Sequence, residues 1–183
     1  IKYIKRKCLS ITNMFTGKEM VELIDYTANA HQEFARKHSK SVRLWDKETP
    51  YIVHSVWGAM TILHETQLPQ RIRIVGSKAL ICHDILEDTT VLLPESLEEE
   101  IINLVHEVTF DSQGEAMEKI WERSDKAILI TLYDMVSNMM DGVWMDEEQR
   151  KFYLDYTLKL KNAVKERFGD LNIVKIAKAI SST

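Results

Sequence analysis

Apolar residues recur at three- and four-residue spacing along nearly the whole chain, and no stretch shows the apolar–polar alternation of a strand with one buried face. Six glycines and three prolines interrupt this pattern only sparsely, so it predicts an all-α bundle forming one domain over residues 1–183. A first helix is expected over residues 16–38, with Met20, Leu23, Ile24 and Phe34 on its apolar face. Polar residues 39–50 follow, closing on Thr49-Pro50-Tyr51, which should be extended because a residue before proline is pushed out of the helical region. Further helices are expected over 54–66 and 72–86, then one opened by Pro94, since proline suits a first helical turn. A turn at 111–114 leads to a long helix over 115–140, stopped by Asp141-Gly142. The last long helix spans 147–167 and stops at Gly169, and a short amphipathic segment runs on to residue 180.

Composition narrows the setting. A chain of 183 residues is long enough for one substantial core. Its net charge of -4 gives no overall electrostatic footprint for nucleic acid. No apolar run approaches the ~18 to 20 residues needed to span a bilayer. Cys8 and Cys82 are far apart in sequence, and Cys82 lies in an apolar helix, which argues against a disulfide framework and for a reducing, cytoplasmic setting. The basic opening Ile1-Lys2-Tyr3-Ile4-Lys5-Arg6-Lys7 lacks the apolar core of a signal peptide and receives no function.

The chemistry concentrates in His83-Asp84-Ile85-Leu86-Glu87-Asp88, one imidazole and three carboxylates emerging from the apolar run Ala79-Leu80-Ile81-Cys82. On a helix His83 would stand above Glu87 and Asp84 above Asp88, which reads as metal ligands with reactive acids beside them. A solvated acidic helix end is the plain alternative for Glu87 and Asp88. A metal needs ligands from other elements as well, and His54 and Asp134 are the candidates. Asp134 interrupts Ile128-Leu129-Ile130-Thr131-Leu132-Tyr133, where an unpaired carboxylate is costly. It calls for a cation, either a metal or a partner such as Lys126 or an arginine. Asn138 lies one turn later on the same face, placed to bond a ligand or to orient the carboxylate. Mixed histidine and carboxylate donors suit Mn²⁺ without excluding Fe, Co or Zn.

The order His54, His83-Asp84, Asp134 resembles the HD superfamily of metal-dependent phosphohydrolases. The finer pattern, Thr49-Pro50-Tyr51-Ile52-Val53-His54, then His83 to Thr89, then Asp134 with Asn138, is similar to the hydrolase domain of the RelA/SpoT family, above all its free-standing small alarmone hydrolases, over about residues 26–142. The resemblance implies an HD-domain helical bundle in which His54, His83, Asp84 and Asp134 hold one Mn²⁺ and Glu87 and Asp88 handle the water. It implies removal of pyrophosphate from the 3′ position of guanosine tetra- or pentaphosphate, with Arg43 and Asn138 contacting the nucleotide.

The chain departs from that pattern where positive charge is usual. Leu44 stands in place of a lysine after Arg43, Thr131-Leu132-Tyr133-Asp134 in place of Lys-Leu-Ala-Asp, and Met140-Asp141 in place of Arg-Thr. The metal and acid machinery is untouched, so a less charged phosphorylated nucleotide is the alternative substrate, and a non-catalytic nucleotide-binding module is the third reading. The cluster Arg36-Lys37-His38 with Lys40 and Arg43 reads either as a substrate-attracting rim or as cations favouring a helix C-terminus, with Arg43 alone taken as a direct contact. His31, His38 and His64 read as ordinary core or surface histidines, and Trp45, Trp57, Trp121 and Trp144 as packing or interface residues.

Overall fold

A computed structural model describes residues 16–37 and 41–181; Cys8, the basic opening, His38 and Lys40 lie outside it. The described residues are all-α, as the periodicity predicts. Among the described residues nine α-helices run in the order α1 (Gly17–Glu33), α2 (Val53–Leu63), α3 (Gln70–Cys82), α4 (Ile85–Asp88), α5 (Glu99–Val108), α6 (Gln113–Lys119), α7 (Asp125–Met140), α8 (Glu147–Phe168) and α9 (Asn172–Ile180). The only extended pairings among the described residues are two isolated bridges, Ala35 with Thr89 and Val42 with Pro50.

Helix α7 is the axis, packed by α2, α3, α5, α8 and α9. It is apolar nearly all round, which is the pattern of a helix enclosed by others: Ala127, Ile128, Leu129, Ile130, Leu132, Tyr133, Met135 and Val136 are all buried. Thr131, Asp134 and Asn138 are only half-buried. Spaced three and four apart, they form one narrow polar stripe on the central helix, and that stripe faces the site described below. Helices α2 and α3 lie so close to one another that a Cβ at Gly76 would meet Ile62 Cδ1 at 2.6 Å.

Several boundaries differ from the sequence expectation. Helix α1 ends at Glu33 rather than at residue 38 because the following backbone pairs with the end of α4: Arg36 N–H donates to Asp88 O at 2.7 Å and Thr90 N–H to Phe34 O at 3.0 Å. Helix α2 stops at Leu63, short of residue 66. The helix expected over 72–86 breaks at His83-Asp84 into α3 and α4, so the two ligand-and-acid columns do not share one continuous helix. Pro94 opens a turn, with its carbonyl accepting from Leu97 N–H, and α5 begins only at Glu99. The long helix over 115–140 is two, separated by a 3-10 turn (Ile120–Glu122) and restarted by Ser124, whose hydroxyl accepts from Ala127 N–H. Helix α8 matches its expected span, opened by the Asp146–Gln149 capping box and closed at Gly169 with φ of 85°.

One buried carboxylate fastens the C-terminal helix. Glu65 is fully enclosed just after α2, where it accepts from Tyr133 Oη at 3.1 Å, Ile173 N–H at 2.8 Å and Asn172 N–H at 3.1 Å. It caps the positive end of α9 and ties that end to both α2 and α7. Replacing Glu65 with alanine strands three donors, two of them buried, and is expected to cost about 3 kcal/mol, read as a lowered urea midpoint; Glu65→Gln retains one acceptor and should cost less.

Candidate metal centre

The segment before α2 builds the first wall of the site. Asp46 accepts from the N–H groups of Glu48 and Thr49, both at 2.9 Å, closing a turn that delivers Pro50-Tyr51 to the start of α2. Tyr51 then serves two ligand candidates. Its carbonyl accepts from His54 Nδ1–H at 2.6 Å, and its hydroxyl donates to Asp84 Oδ2 at 3.2 Å. On the second wall, where α3 breaks, His83 Nδ1–H donates to Leu80 O at 2.8 Å.

A carbonyl can only accept, so both histidines carry their proton on Nδ1 and, when neutral, present a bare Nε2 to the interior. Those Nε2 atoms point among carboxylate oxygens. His54 Nε2 is 2.9 Å from Asp84 Oδ2 and 3.8 Å from Asp134 Oδ1, while His83 Nε2 is 3.0 Å from Asp84 Oδ1 and 3.2 Å from Asp134 Oδ1. His83 Nε2 is buried, and neither nearby oxygen is aligned with it for a hydrogen bond. Lone pairs facing lone pairs repel, so the cluster needs positive charge between them. Without a metal ion, protons must supply it: burial alone would depress the His83 pKa, but Asp84 and Asp134 outweigh burial and lift it to about 10. For Asp84, burial works upward, and the His83 and His54 imidazoles hold the carboxyl well below the usual range.

A divalent ion answers the same demand with better chemistry. The ligand atoms of His54, His83 and Asp134 all lie within 4.8 Å of one another, and Asp84 touches both imidazoles. Two nitrogens with fixed tautomers and two carboxylates form a donor set that fits a divalent metal. Lys126 does not pair with Asp134; it donates to Glu100 at 2.8 Å. Asn138 orients Asp134, donating from Nδ2 to Oδ1 at 2.9 Å.

The two acids after His83-Asp84 face different surroundings. Glu87 lines a cavity of about 50 Å³ together with His83, Asp84, Thr131, Asp134 and Phe110, and its Oε1 accepts from Phe110 N–H at 2.7 Å. Burial, and then the negative charge of Asp84, push its pKa up to about 8 against the pull of that amide. Asp88 lies toward Tyr51, where its charge adds to burial and to that of Asp84 in holding the phenol protonated. On the far side of His54 lies a larger cavity of about 290 Å³, walled by Trp45, Trp57 and Met140 with Arg43 and Asp141 at its edge.

Arg43 is itself buried, 6% exposed, with Nε 2.7 Å from Asp141 Oδ2 and Nη2 donating to Asn138 Oδ1 at 3.1 Å. The pairing with Asp141 had no signal in the sequence beyond a departure from a motif. The orienting role of Tyr51 has no signal in the sequence beyond its place in the Thr-Pro-Tyr pattern. His31 is buried against the Tyr51 ring with centroids 5.0 Å apart, and burial lowers its pKa to about 4. His64 and His106 are exposed, away from this cluster.

Comparison with known proteins gives the lineage. The chain is 30% identical over 135 residues to human guanosine-3′,5′-bis(diphosphate) 3′-pyrophosphohydrolase MESH1, covering 68% of this chain and 72% of that protein. The chain belongs to the small HD-type family of guanosine-3′,5′-bis(diphosphate) 3′-pyrophosphohydrolases. The mouse member of that family is 29% identical over 133 residues, covering 67% of this chain and 69% of its own. Family membership agrees with the fold: a solved structure of a metazoan ortholog of SpoT, described as hydrolysing ppGpp, superposes with a TM-score of 0.68 at 22% identity, covering 92% of this chain and 96% of that one. No family model matches the chain. Among the described residues no helix is long and apolar enough to cross a membrane.

Proposed function

We propose that this protein is a Mn²⁺-dependent hydrolase that removes pyrophosphate from the 3′ position of guanosine tetra- or pentaphosphate, acting in the cytoplasm. The observation that carries the reading is the convergence of two Nδ1-anchored imidazoles with two carboxylates beside a cavity into which Glu87 reaches. His54, His83, Asp84 and Asp134 would hold the ion, which when bound lowers the pKa of water and offsets phosphate charge. Tyr51 and Asn138 keep Asp84 and Asp134 in place.

The reaction adds water to the phosphorus joined to the 3′ oxygen. The P–O3′ bond breaks, pyrophosphate leaves, and the nucleoside 3′ oxygen takes a proton while water gives one up. Glu87 suits that traffic: an acid whose pKa is raised toward neutrality both accepts and returns a proton near physiological pH. Asp88 is assigned to orienting the water or the leaving oxygen from the Tyr51 side. The apolar 290 Å³ cavity beyond His54 has the dimensions and aromatic walls of a nucleobase site.

One observation favours a second reading, a less charged phosphorylated nucleotide as substrate. The arginine nearest the cluster has its charge cancelled by Asp141 rather than open to phosphate. Assay of pyrophosphate and phosphate release from guanosine tetraphosphate and a panel of 3′- and 5′-phosphorylated nucleotides, with Mn²⁺ and with excess chelator, separates the two. The expected result is pyrophosphate release from the alarmone that falls at least about a hundredfold under chelation. Turnover of another nucleotide alone would establish the second reading, and turnover insensitive to chelation would refute both.

A further inference from the structure

We propose that Arg43 is a positioning residue for the metal centre, acting on Asp134 through Asn138, and not a phosphate contact; this inference rests on the metal-centre reading above. A chain of bonds runs from the loop before α2 into the cluster. Arg43 Nη2 donates to Asn138 Oδ1 at 3.1 Å, Asn138 Nδ2 donates to Asp134 Oδ1 at 2.9 Å, and that same oxygen lies 3.2 Å from His83 Nε2. The direction of the amide is fixed by chemistry. A guanidinium only donates and an ionised carboxylate only accepts, so Asn138 must turn its oxygen to Arg43 and its NH₂ to Asp134.

With Arg43 in place both ends of the amide are held; without it only the Asp134 carboxylate holds the amide, whose oxygen is then free to swing. The guanidinium also stands 5.6 Å from the centroid of the Tyr51 ring, whose hydroxyl holds Asp84. Arg43 thus braces both ligand carboxylates, one through an amide and one through a phenol.

The loop is built to hold the arginine there. Arg43 N–H donates to Thr49 O at 2.8 Å, Lys47 N–H donates back to Arg43 O at 3.1 Å, and Val42 bridges Pro50. Asp141, 8% exposed at the end of α7, anchors the guanidinium at 2.7 Å. A phosphate clamp needs a cation with unspent charge; that of Arg43 is met by Asp141. Second contacts of this kind commonly alter metal affinity by about ten- to a hundredfold.

The test is calorimetric titration of Mn²⁺ into metal-free protein, with no nucleotide present, for wild type, Arg43→Gln, Asn138→Leu and the double variant. Arg43→Gln is expected to weaken Mn²⁺ binding about tenfold, and the double variant to bind no more weakly than Asn138→Leu alone, since both substitutions cut one relay. Arg43→Gln leaves the Asp141 carboxylate buried and unpaired. If it does not fold, Arg43→Gln with Asp141→Asn removes both charges and takes its place in the cycle. Unchanged Mn²⁺ affinity with a raised, salt-sensitive KM would overturn the proposal in favour of a phosphate contact. Additive losses in the double variant would overturn the relay through Asn138. Wild-type protein that binds no Mn²⁺ would overturn the metal-centre reading and this inference together.

Discussion

Replacing Asp84 with asparagine lowers kcat/KM by about a thousandfold or more, the equivalent of roughly 4 kcal/mol in the barrier. The argument rests on position. Asp84 is the one carboxylate within about 3 Å of both imidazoles, and Tyr51 donates to the oxygen that meets His54. Asparagine fills nearly the same space but removes a charge that two histidines are arranged around. It also places an NH₂ donor where an ion must approach, so the site loses a ligand and gains an obstruction. Calorimetric titration of Mn²⁺ and pyrophosphate release from guanosine tetraphosphate check the two consequences separately. Mn²⁺ affinity should fall at least about a hundredfold, and saturating Mn²⁺ should restore only a small part of the rate. A variant that binds Mn²⁺ as wild type does would remove Asp84 from the ligand set.

Three of the candidate ligands, His83, Asp84 and Asp134, stand out in the sequence because each is a polar residue where the apolar period forbids one. His83-Asp84 end a buried run, and Asp134 interrupts another; such exceptions are expensive unless something compensates them. Helix α8 was legible at both ends because its signals are local, Asp146 with Gln149 at one end and Gly169 at the other. What stayed hidden depends on partners distant in sequence. Helix α1 stops early because residues 34–36 pair with residues 88–90, which no local propensity encodes. Glu65 resembles any surface acid after a helix until α9 sets its N-terminus upon it. The Arg43–Asp141 pair spans nearly a hundred positions and exists only because a loop folds over the end of α7. The break at Ser124 is the exception, since Ser124-Asp125 is a local cap signal that the strength of the apolar period overrode.

Replacing Glu87 with glutamine separates chemistry from structure more sharply than any other substitution. Glutamine keeps the shape and an oxygen to accept from Phe110 N–H, while losing the ability to take up or release a proton. If Glu87 moves the proton, kcat falls by about two to three orders of magnitude, with KM and Mn²⁺ affinity changing little. Stability should move the other way. Glu87 has a folded-state pKa raised to about 8 from an ordinary value near 4.5, first by burial and then by Asp84. A carboxyl raised in the fold is stabilising where it stays protonated, and that contribution is lost as pH rises from about 4.5 through about 8. In metal-free protein the thermal midpoint of Glu87→Gln relative to wild type should therefore be higher at pH 8.5 than at pH 5, as the variant escapes the cost of ionising a buried acid. A collapse of activity together with a gain in alkaline stability identifies a group held in an unfavourable place for its chemistry. Equal losses of activity and stability at both pH values would instead mark Glu87 as a structural acid, and the proton would have to travel through Asp88.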